Sequence, residues 1–202
     1  MPRSTARTIL QPLAIAIACA LVVRGAFFRV YAIPSASMAP TLQPGDQIVV
    51  TPYRVPFARV PMRGDVVVFR SPLGRDELLI KRIVATAGDL IASEAGRVTV
   101  GGHLVAEPYV QRAAASGPIA PQIVPAGCYF VAGDNRENSW DSRTWGVLPH
   151  DLVVGRARLV LWSWGDGSSE PQANAAPNAA PVAAPRAHAS RPRLQRVFKV
   201  IE

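Results

Sequence analysis

From residue 47 to residue 164 the chain is a series of short apolar, β-branched runs cut apart by glycine and proline. The runs are Gln47–Tyr53, Asp65–Arg70, Leu78–Thr86, Arg97–Val100, His103–Glu107, Cys128–Ala132 and Gly155–Trp164. Val and Ile pack well on a pleated surface, and runs this short suit strands better than globular helices. Gly101-Gly102, between two of the runs, is the signature of a two-residue hairpin turn. Neither a helical repeat nor an alternation of strands with helices is present, so bundles and parallel-sheet folds are excluded. The expected fold is mainly β, one coiled antiparallel sheet over residues 29–164. A domain of roughly 130 residues is long enough to bury a core.

Other stretches set the organisation around that domain. Ile9 to Val23 is apolar except for Gln11 and Pro12. As a helix it spans about 22 Å; extended through Phe27 and Phe28, with Arg24 snorkelling near the outer end, it reaches about 30 Å and can cross a bilayer. The expectation is one N-terminal transmembrane helix over 9–28, preceded by a short terminus over 1–8. A cleaved leader is the competing reading, because Ala18-Cys19-Ala20 resembles a small-x-small site. Arg3, Arg7 and the amino terminus on one side, against Arg24 and Arg29 on the other, tilt the orientation toward a cytoplasmic N-terminus. Residues 165–190 are mostly Ala, Pro, Asn and Ser, which cannot bury a core and read as a flexible linker or loop. Residues 191–202 regain a pattern, with Leu194, Val197, Phe198 and Val200 among Arg and Lys.

The chemistry begins with a bias among the cations. Of 22 basic residues only Lys81 and Lys199 are lysine; the rest are arginine. Lys81 sits in Leu78-Leu79-Ile80-Lys81-Arg82-Ile83-Val84, an apolar run that reads as a buried strand, and Arg is accepted next door at Arg82. One common role needs Lys and excludes Arg, which is to lose the proton. Guanidinium stays charged in proteins, whereas a buried ammonium can be pushed down until it becomes a base. The bland alternative is a snorkelling Lys on a strand face.

A base needs a partner. Ile33-Pro34-Ser35-Ala36-Ser37-Met38-Ala39-Pro40 places two serines between two prolines, on a stiff and turn-rich stretch that would otherwise pass for an ordinary polar loop. The three histidines, His103, His150 and His188, form no recognisable triad, but Ser37 with Lys81 gives the Ser-Lys form of an activated nucleophile. Gly133 to Arg143 is a loop rich in Asp, Asn and Ser, with Asp134, Asp141, Arg136 and Arg143 as ion pairs in waiting. Trp140 and Trp145 favour an ordered polar network over a solvated turn.

The net charge of +8 and pI near 10.5 admit nucleic acid as a partner, yet no basic stripe interleaved with aromatics and no nucleic-acid motif is present. Attraction to an anionic phospholipid membrane explains the charge with less. Trp162 and Trp164 suit a lipid interface or core packing equally. Two cysteines and scattered histidines offer no metal-ligand spacing, so no metal or cofactor is expected, and a bond between Cys19 in the anchor and Cys128 in a strand is not expected either.

In order, these segments resemble the bacterial type I signal peptidase (leader peptidase) family: an apolar N-terminal segment, Pro34 to Leu42 followed by Gly45-Asp46, Arg63-Gly64-Asp65 to Phe69, Lys81-Arg82 to Gly88-Asp89, and Gly133 to Arg143. The ordered set, over roughly residues 9 to 164, is far more specific than any one box. The resemblance implies a β catalytic domain over 29–164 with a retained anchor at the cytoplasmic membrane, single-pass, the domain lying outside. Residues 191–202 then resemble a closing segment of that domain, with an amphipathic membrane-surface stretch as the alternative. It implies Ser37 as nucleophile and Lys81 as general base. Ser35 would donate to the oxyanion beside the Ser37 N–H, and Ser139 would hydrogen-bond the Lys81 amine. Asp134, Arg136, Asp141 and Arg143 match the family's supporting loop, with Asp134 paired to Arg82. Ile33, Pro34, Ser35, Met38, Leu42, Leu79 and Ile80 match positions that wall the pockets for small residues before the cut. Ala36, Ala85 and Ala87 depart from the family's usual Gly and Pro, small for small.

The implied substrates are signal peptides of exported preproteins, cut after small residues, with the secretion translocon as a further partner. For Lys81 to act, its pKa must fall by about three units, and burial among Leu78, Leu79, Ile80 and Ile83 would supply the desolvation. A self-cleaving Ser-Lys domain, a specialised peptidase paralogue and an inactive anchored β module that binds exported chains are the other readings.

Overall fold

The computed structural model describes Pro12, Ile15, Ala16 and residues 28–53, 59–110, 117–165 and 191–201. The 1–8 terminus, nearly all of the 9–28 anchor with Cys19 and Arg24, and the 165–190 stretch beyond Gly165 lie outside the described residues. Among the described residues no helix is long and apolar enough to cross a membrane.

The β-branched runs do form strands, all paired antiparallel. In chain order they are β1 (Arg29–Ala32), β2 (Asp46–Pro52), β3 (Val66–Arg70), β4 (Leu78–Thr86), β5 (Leu90–Glu94), β6 (Arg97–Val100), β7 (His103–Leu104), β8 (Gln122–Ile123), β9 (Cys128–Ala132), β10 (Leu148–Pro149), β11 (Val153–Gly165) and β12 (Arg191–Pro192). One α-helical turn, α1 (Ser142–Trp145), follows β9 after a 3-10 turn at Arg136–Asn138. Where one sheet is expected there are two. The larger has eight strands in the order β1-β2-β11-β3-β4-β9-β10, with β12 on β11; the smaller has four, ordered β7-β6-β5-β8.

β11 is the long strand that makes the large sheet coil. It pairs with β2 along one edge and β3 along the other, with register shifts between Ala157 and Leu159, Val160 and Trp162, and Val153 and Gly155. Each extra residue bends the strand and increases its twist. The Gly101-Gly102 turn joins β6 to β7 with φ of 60° and 79°, the doubly positive pair that a tight hairpin requires. The His103 strand stops at Leu104 rather than Glu107, because the chain leaves the sheet there toward a cluster of charges described below.

Burial follows the pleat. Val66, Val68, Ile80, Ile48 and Val50 pack with Met38, Leu42, Ala157, Val160 and Ile201 in one cluster. Their strand neighbours Val67, Phe69, Ile83, Tyr129 and Val131 form a second, as the period of 2 requires. A third, including Val84, Ile91, Val98, Val124 and Phe130, fills the space between the two sheets.

The last segment runs along β11. Phe198 N–H donates to Val160 O at 2.7 Å and Ile201 N–H to Arg158 O at 2.9 Å. Arg196 reaches under the turn before β2, donating to Asp46 at 3.1 and 2.5 Å and to Thr41 O at 3.0 Å. Its apolar side chains Leu194, Phe198 and Val200 point to solvent, while Ile201 enters the core. Asp46 is fully buried; burial pushes its carboxyl up, but hydrogen bonds from Arg196, Ser163 and the Gln43 N–H outweigh it and hold the acid below its ordinary range. Removing one partner of a buried pair strands the other, so Arg196→Ala is expected to destabilise the fold by about 3 kcal/mol, read as a lower urea midpoint.

Candidate active site

Two adjacent residues of β4 do different work, because successive side chains on a strand leave on opposite faces. Lys81 pairs with Val67 of β3 and Arg82 with Val66. The Lys81 amine, 3% exposed, donates to Ser37 Oγ at 2.8 Å. Ser37 is held in the turns after β1, where Leu42 N–H donates to Met38 O and Ala39 N–H to Ala36 O. The Ala39–Pro40 peptide in this stretch is cis. Ser35, half-buried, has its hydroxyl 3.3 Å from that of Ser37.

The Arg82 guanidinium takes Asp134 side-on, Nε to Oδ1 at 2.9 Å and Nη2 to Oδ2 at 2.8 Å, with both residues at most 1% exposed. Its remaining donors reach Gly64 O at 2.8 Å and, at the long limit, Thr41 Oγ1 at 3.5 Å. Thr41 Oγ1 itself donates to Asp134 Oδ2 at 2.5 Å. Asn135 closes the loop onto the serines: its N–H donates to Ser37 O at 3.1 Å and its Nδ2 to Ala36 O at 3.2 Å.

The rest of the loop is cross-braced. Asp141 accepts Gly133 N–H at 2.9 Å and two guanidinium bonds from Arg143, at 2.7 and 2.8 Å, and also caps α1. Arg143 reaches on to Arg136 O and Ser139 O. Arg136 donates to Gly133 O at 2.9 Å and grips Glu107 with two nitrogens, at 3.0 and 2.5 Å. Burial pushes the Asp141 acid up, but Arg143 and the Gly133 N–H overcome it and keep the carboxylate below its usual range. Gly133 has no room for a side chain: a Cβ there would stand 2.2 Å from Ser139 Oγ and 2.5 Å from Ser37 O.

The structure therefore brings Ser35, Ser37, Lys81, Arg82, Asp134, Arg136, Asp141 and Arg143 together. Ser139 is in the same place, with its buried hydroxyl making no hydrogen bond to the Lys81 amine. Among the pocket positions, Ile33 and Ile80 are nearly buried and Pro34 is exposed. Met38 and Leu42 have no exposed surface and stand behind Ile33 and Ile80 in the core. Leu79 packs on the opposite cluster, and Leu78, expected to bury the amine, is 45% exposed. Sequence reasoning missed Thr41, Glu107, Tyr109 and Asn135. Asn135 and Thr41 sat inside recognised stretches; Glu107 and Tyr109 carry no local pattern.

Burial lowers the Lys81 amine to about 8; Asp141 and Asp134 pull the other way, and Arg143 adds to the lowering. The described residues contain no group of His, Cys, Asp and Glu able to hold a metal ion.

Residues 6–162 match the family model described as signal peptidase, peptidase S26. A signal peptidase I of Leptolyngbya laminosa is 37% identical over 141 residues, covering 64% of this chain and 66% of its own length. Thylakoidal processing peptidase 1 of Arabidopsis thaliana is 34% identical over 157 residues, covering 73% of this chain and 46% of its own length. A signal peptidase I of Pseudomonas aeruginosa is 33% identical, covering 78% of this chain and 72% of its own length. The chain thus spans about half to two thirds of the first two relatives.

Two outcomes follow from the geometry. The folded pKa of Lys81, about 8, lies below that of an unfolded lysine, so below pH 8 the native state carries the cost of a buried proton, about 3 kcal/mol. Stability attributable to this group should rise between about pH 8 and 10.4, where only the unfolded state holds the proton. Lys81→Met should accordingly be more stable than wild type at pH 7, by about 2 to 3 kcal/mol in urea unfolding, with the gap closing toward pH 10. Gly133→Ala should cost about 1 to 3 kcal/mol in the same assay, because Ser139 and the Ser37 carbonyl must move apart.

Proposed function

The chain belongs to the signal peptidase, peptidase S26 family, and from that premise we propose that it is a membrane-bound serine endopeptidase that removes signal peptides from exported preproteins. Ser37 is the nucleophile and Lys81 the general base. The observation that carries this reading is the 2.8 Å contact between Lys81 Nζ and Ser37 Oγ in a site where burial lowers the amine to about 8.

The steps follow from those two atoms. With the amine neutral, the contact reverses, and Ser37 O–H donates to the Nζ lone pair. Oγ attacks the scissile carbonyl as its proton passes to Nζ. The tetrahedral oxyanion is met by the Ser35 hydroxyl and the Ser37 N–H, each donor contributing about 3 kcal/mol. The C–N bond then breaks and the Lys81 ammonium gives its proton to the leaving amine. Water, losing a proton to Lys81, attacks the ester; collapse frees the new carboxyl end and returns the proton to Ser37 Oγ. Ser139, whose hydroxyl lies against Gly133 in the same loop, would aim the amine lone pair.

Substrate would enter as a strand. Leu78 to Lys81 pair with β3 on one side, whereas β9 begins pairing only at Arg82, so among the described residues the other edge of this stretch has no partner strand. An extended cleavage region adds there through main-chain bonds, its small side chains meeting Ile33, Ser35 and Ile80 over Met38 and Leu42. The enzyme works on the outer side of a bacterial cytoplasmic membrane, held by the 9–28 segment, with anionic lipid as its surface and the translocon as its source of substrate.

The test is cleavage of a preprotein bearing an Ala-x-Ala site, in detergent plus lipid, by wild type, Ser37→Ala and Lys81→Arg. Wild type should cut after the second Ala, faster as pH rises through about 8 because the base must be neutral. Both variants should lose about 10³-fold or more. Full activity in Lys81→Arg, which retains charge, would overturn Lys81 as base; a silent wild type would move a binding module to the front.

A further inference from the structure

The segment after β7 crosses from the small sheet to the site. Tyr109 lays its ring over the Arg82 guanidinium, 3.9 Å from the carbon to the ring centroid. Its hydroxyl donates to Glu107 Oε1 at 3.2 Å, and the same carboxylate holds Arg136 by two bonds. Residues 107 and 109 thus touch Arg136 of the loop that sits on Ser37 and Arg82 of β4. Over Arg82 the ring does two things. It attracts the cation through its negative face, and it covers one face of a guanidinium that is 1% exposed.

We propose that Tyr109, fixed by Glu107, is a positioning residue: it keeps the Arg82–Asp134 pair dry and closed, and through that pair keeps the Lys81 amine ready to give up its proton. The link is electrostatic. The charged groups facing Lys81 are Asp141, Asp134 and Arg143, and those facing Tyr109 are Glu107, Arg82, Arg136 and Asp134. Asp134 belongs to both sets. Arg82, gripping Asp134 side-on, opposes that carboxylate's pull on the Lys81 proton. With water admitted at Arg82 the grip loosens, Asp134 pulls harder and the amine is better hydrated. All these changes raise the Lys81 pKa, which is the wrong direction for a base. The catalytic importance of the device rests on the peptidase reading; the electrostatic link does not.

The lysine scarcity makes the link measurable without catalysis. With 13Cε-lysine, the full chain in detergent micelles gives only two signals, from Lys81 and Lys199, and the midpoint of the buried one reports its own titration. Tyr109→Phe keeps the ring over Arg82 and should leave the midpoint in place. Tyr109→Ala should raise it by roughly half a unit or more, and shift the pH profile of kcat/KM upward in parallel. If Tyr109→Ala does not give a folded spectrum, Tyr109→Leu is read instead, with the same rise expected. A lower melting temperature with an unmoved Lys81 midpoint would overturn the proposal, because Tyr109 would then be a packing residue only. A moved midpoint in a protein whose wild type cuts no preprotein would keep the link and sink the peptidase reading; a cutting wild type with an unmoved midpoint would do the reverse.

Discussion

The Arg82–Asp134 pair is the contact on which the geometry of the site depends. Taking both charges out of water costs several kcal/mol per ion, and a pair this deep is stable only if nearly every donor and acceptor is used. Here they are used to join separate pieces of chain. Arg82 comes from β4, Gly64 from the turn before β3, Thr41 from the serine stretch, Tyr109 from the small-sheet crossing and Asp134 from the loop after β9. Of these residues only Arg82 is next to a catalytic one in sequence, yet closing them on one guanidinium fixes β4 against the Ser37 stretch. A nucleophile and a base held at 2.8 Å tolerate little play, since displacement of about 1 Å costs orders of magnitude in rate.

The electrostatics of the loop follow the same economy. Asp134 and Asp141 both pull on the Lys81 proton, against the lowering by burial. Each is tied side-on to an arginine, Asp134 to Arg82 and Asp141 to Arg143. Each arginine opposes the pull of its carboxylate, and burial is the largest influence on the amine. The result is a native state less stable near neutral pH than an apolar residue at position 81 would make it, the usual relation between an activated group and the fold that holds it.

Much of this was legible in the chain. Boxes with internal spacing, such as Lys81-Arg82 and Gly133 to Arg143, announce themselves because each is a local cluster whose members meet after folding. Gly101-Gly102 announced its hairpin because a doubly positive turn accepts few other pairs. What stayed hidden was set by distant partners. Arg196 meets Asp46 across 150 residues, and Arg136 meets Glu107 across 29, with no period or motif to relate them. β8 and β10 are two residues each, too short to carry alternation, and β5 mixes Ala, Ser and Glu into its run. The division into two sheets was hidden for the same reason: which strands share an edge is decided by register, and register is set in three dimensions.

The scarcity of lysine gains a physical meaning from the folded site. Arg82, Arg136, Arg143 and Arg196 each bind a carboxylate through more than one nitrogen and are buried or nearly so. At such positions a planar fork that cannot lose its proton is the better residue, because a deprotonated partner would leave an unpaired carboxylate in the core. Lys199 is exposed and makes its strand contact through its backbone, so its side chain is under no such demand. Lys81 alone has a buried amine against a hydroxyl and no carboxylate gripping it. Among the cations of the site, the permanent charges are all arginine, and the single lysine stands where a proton has to come off.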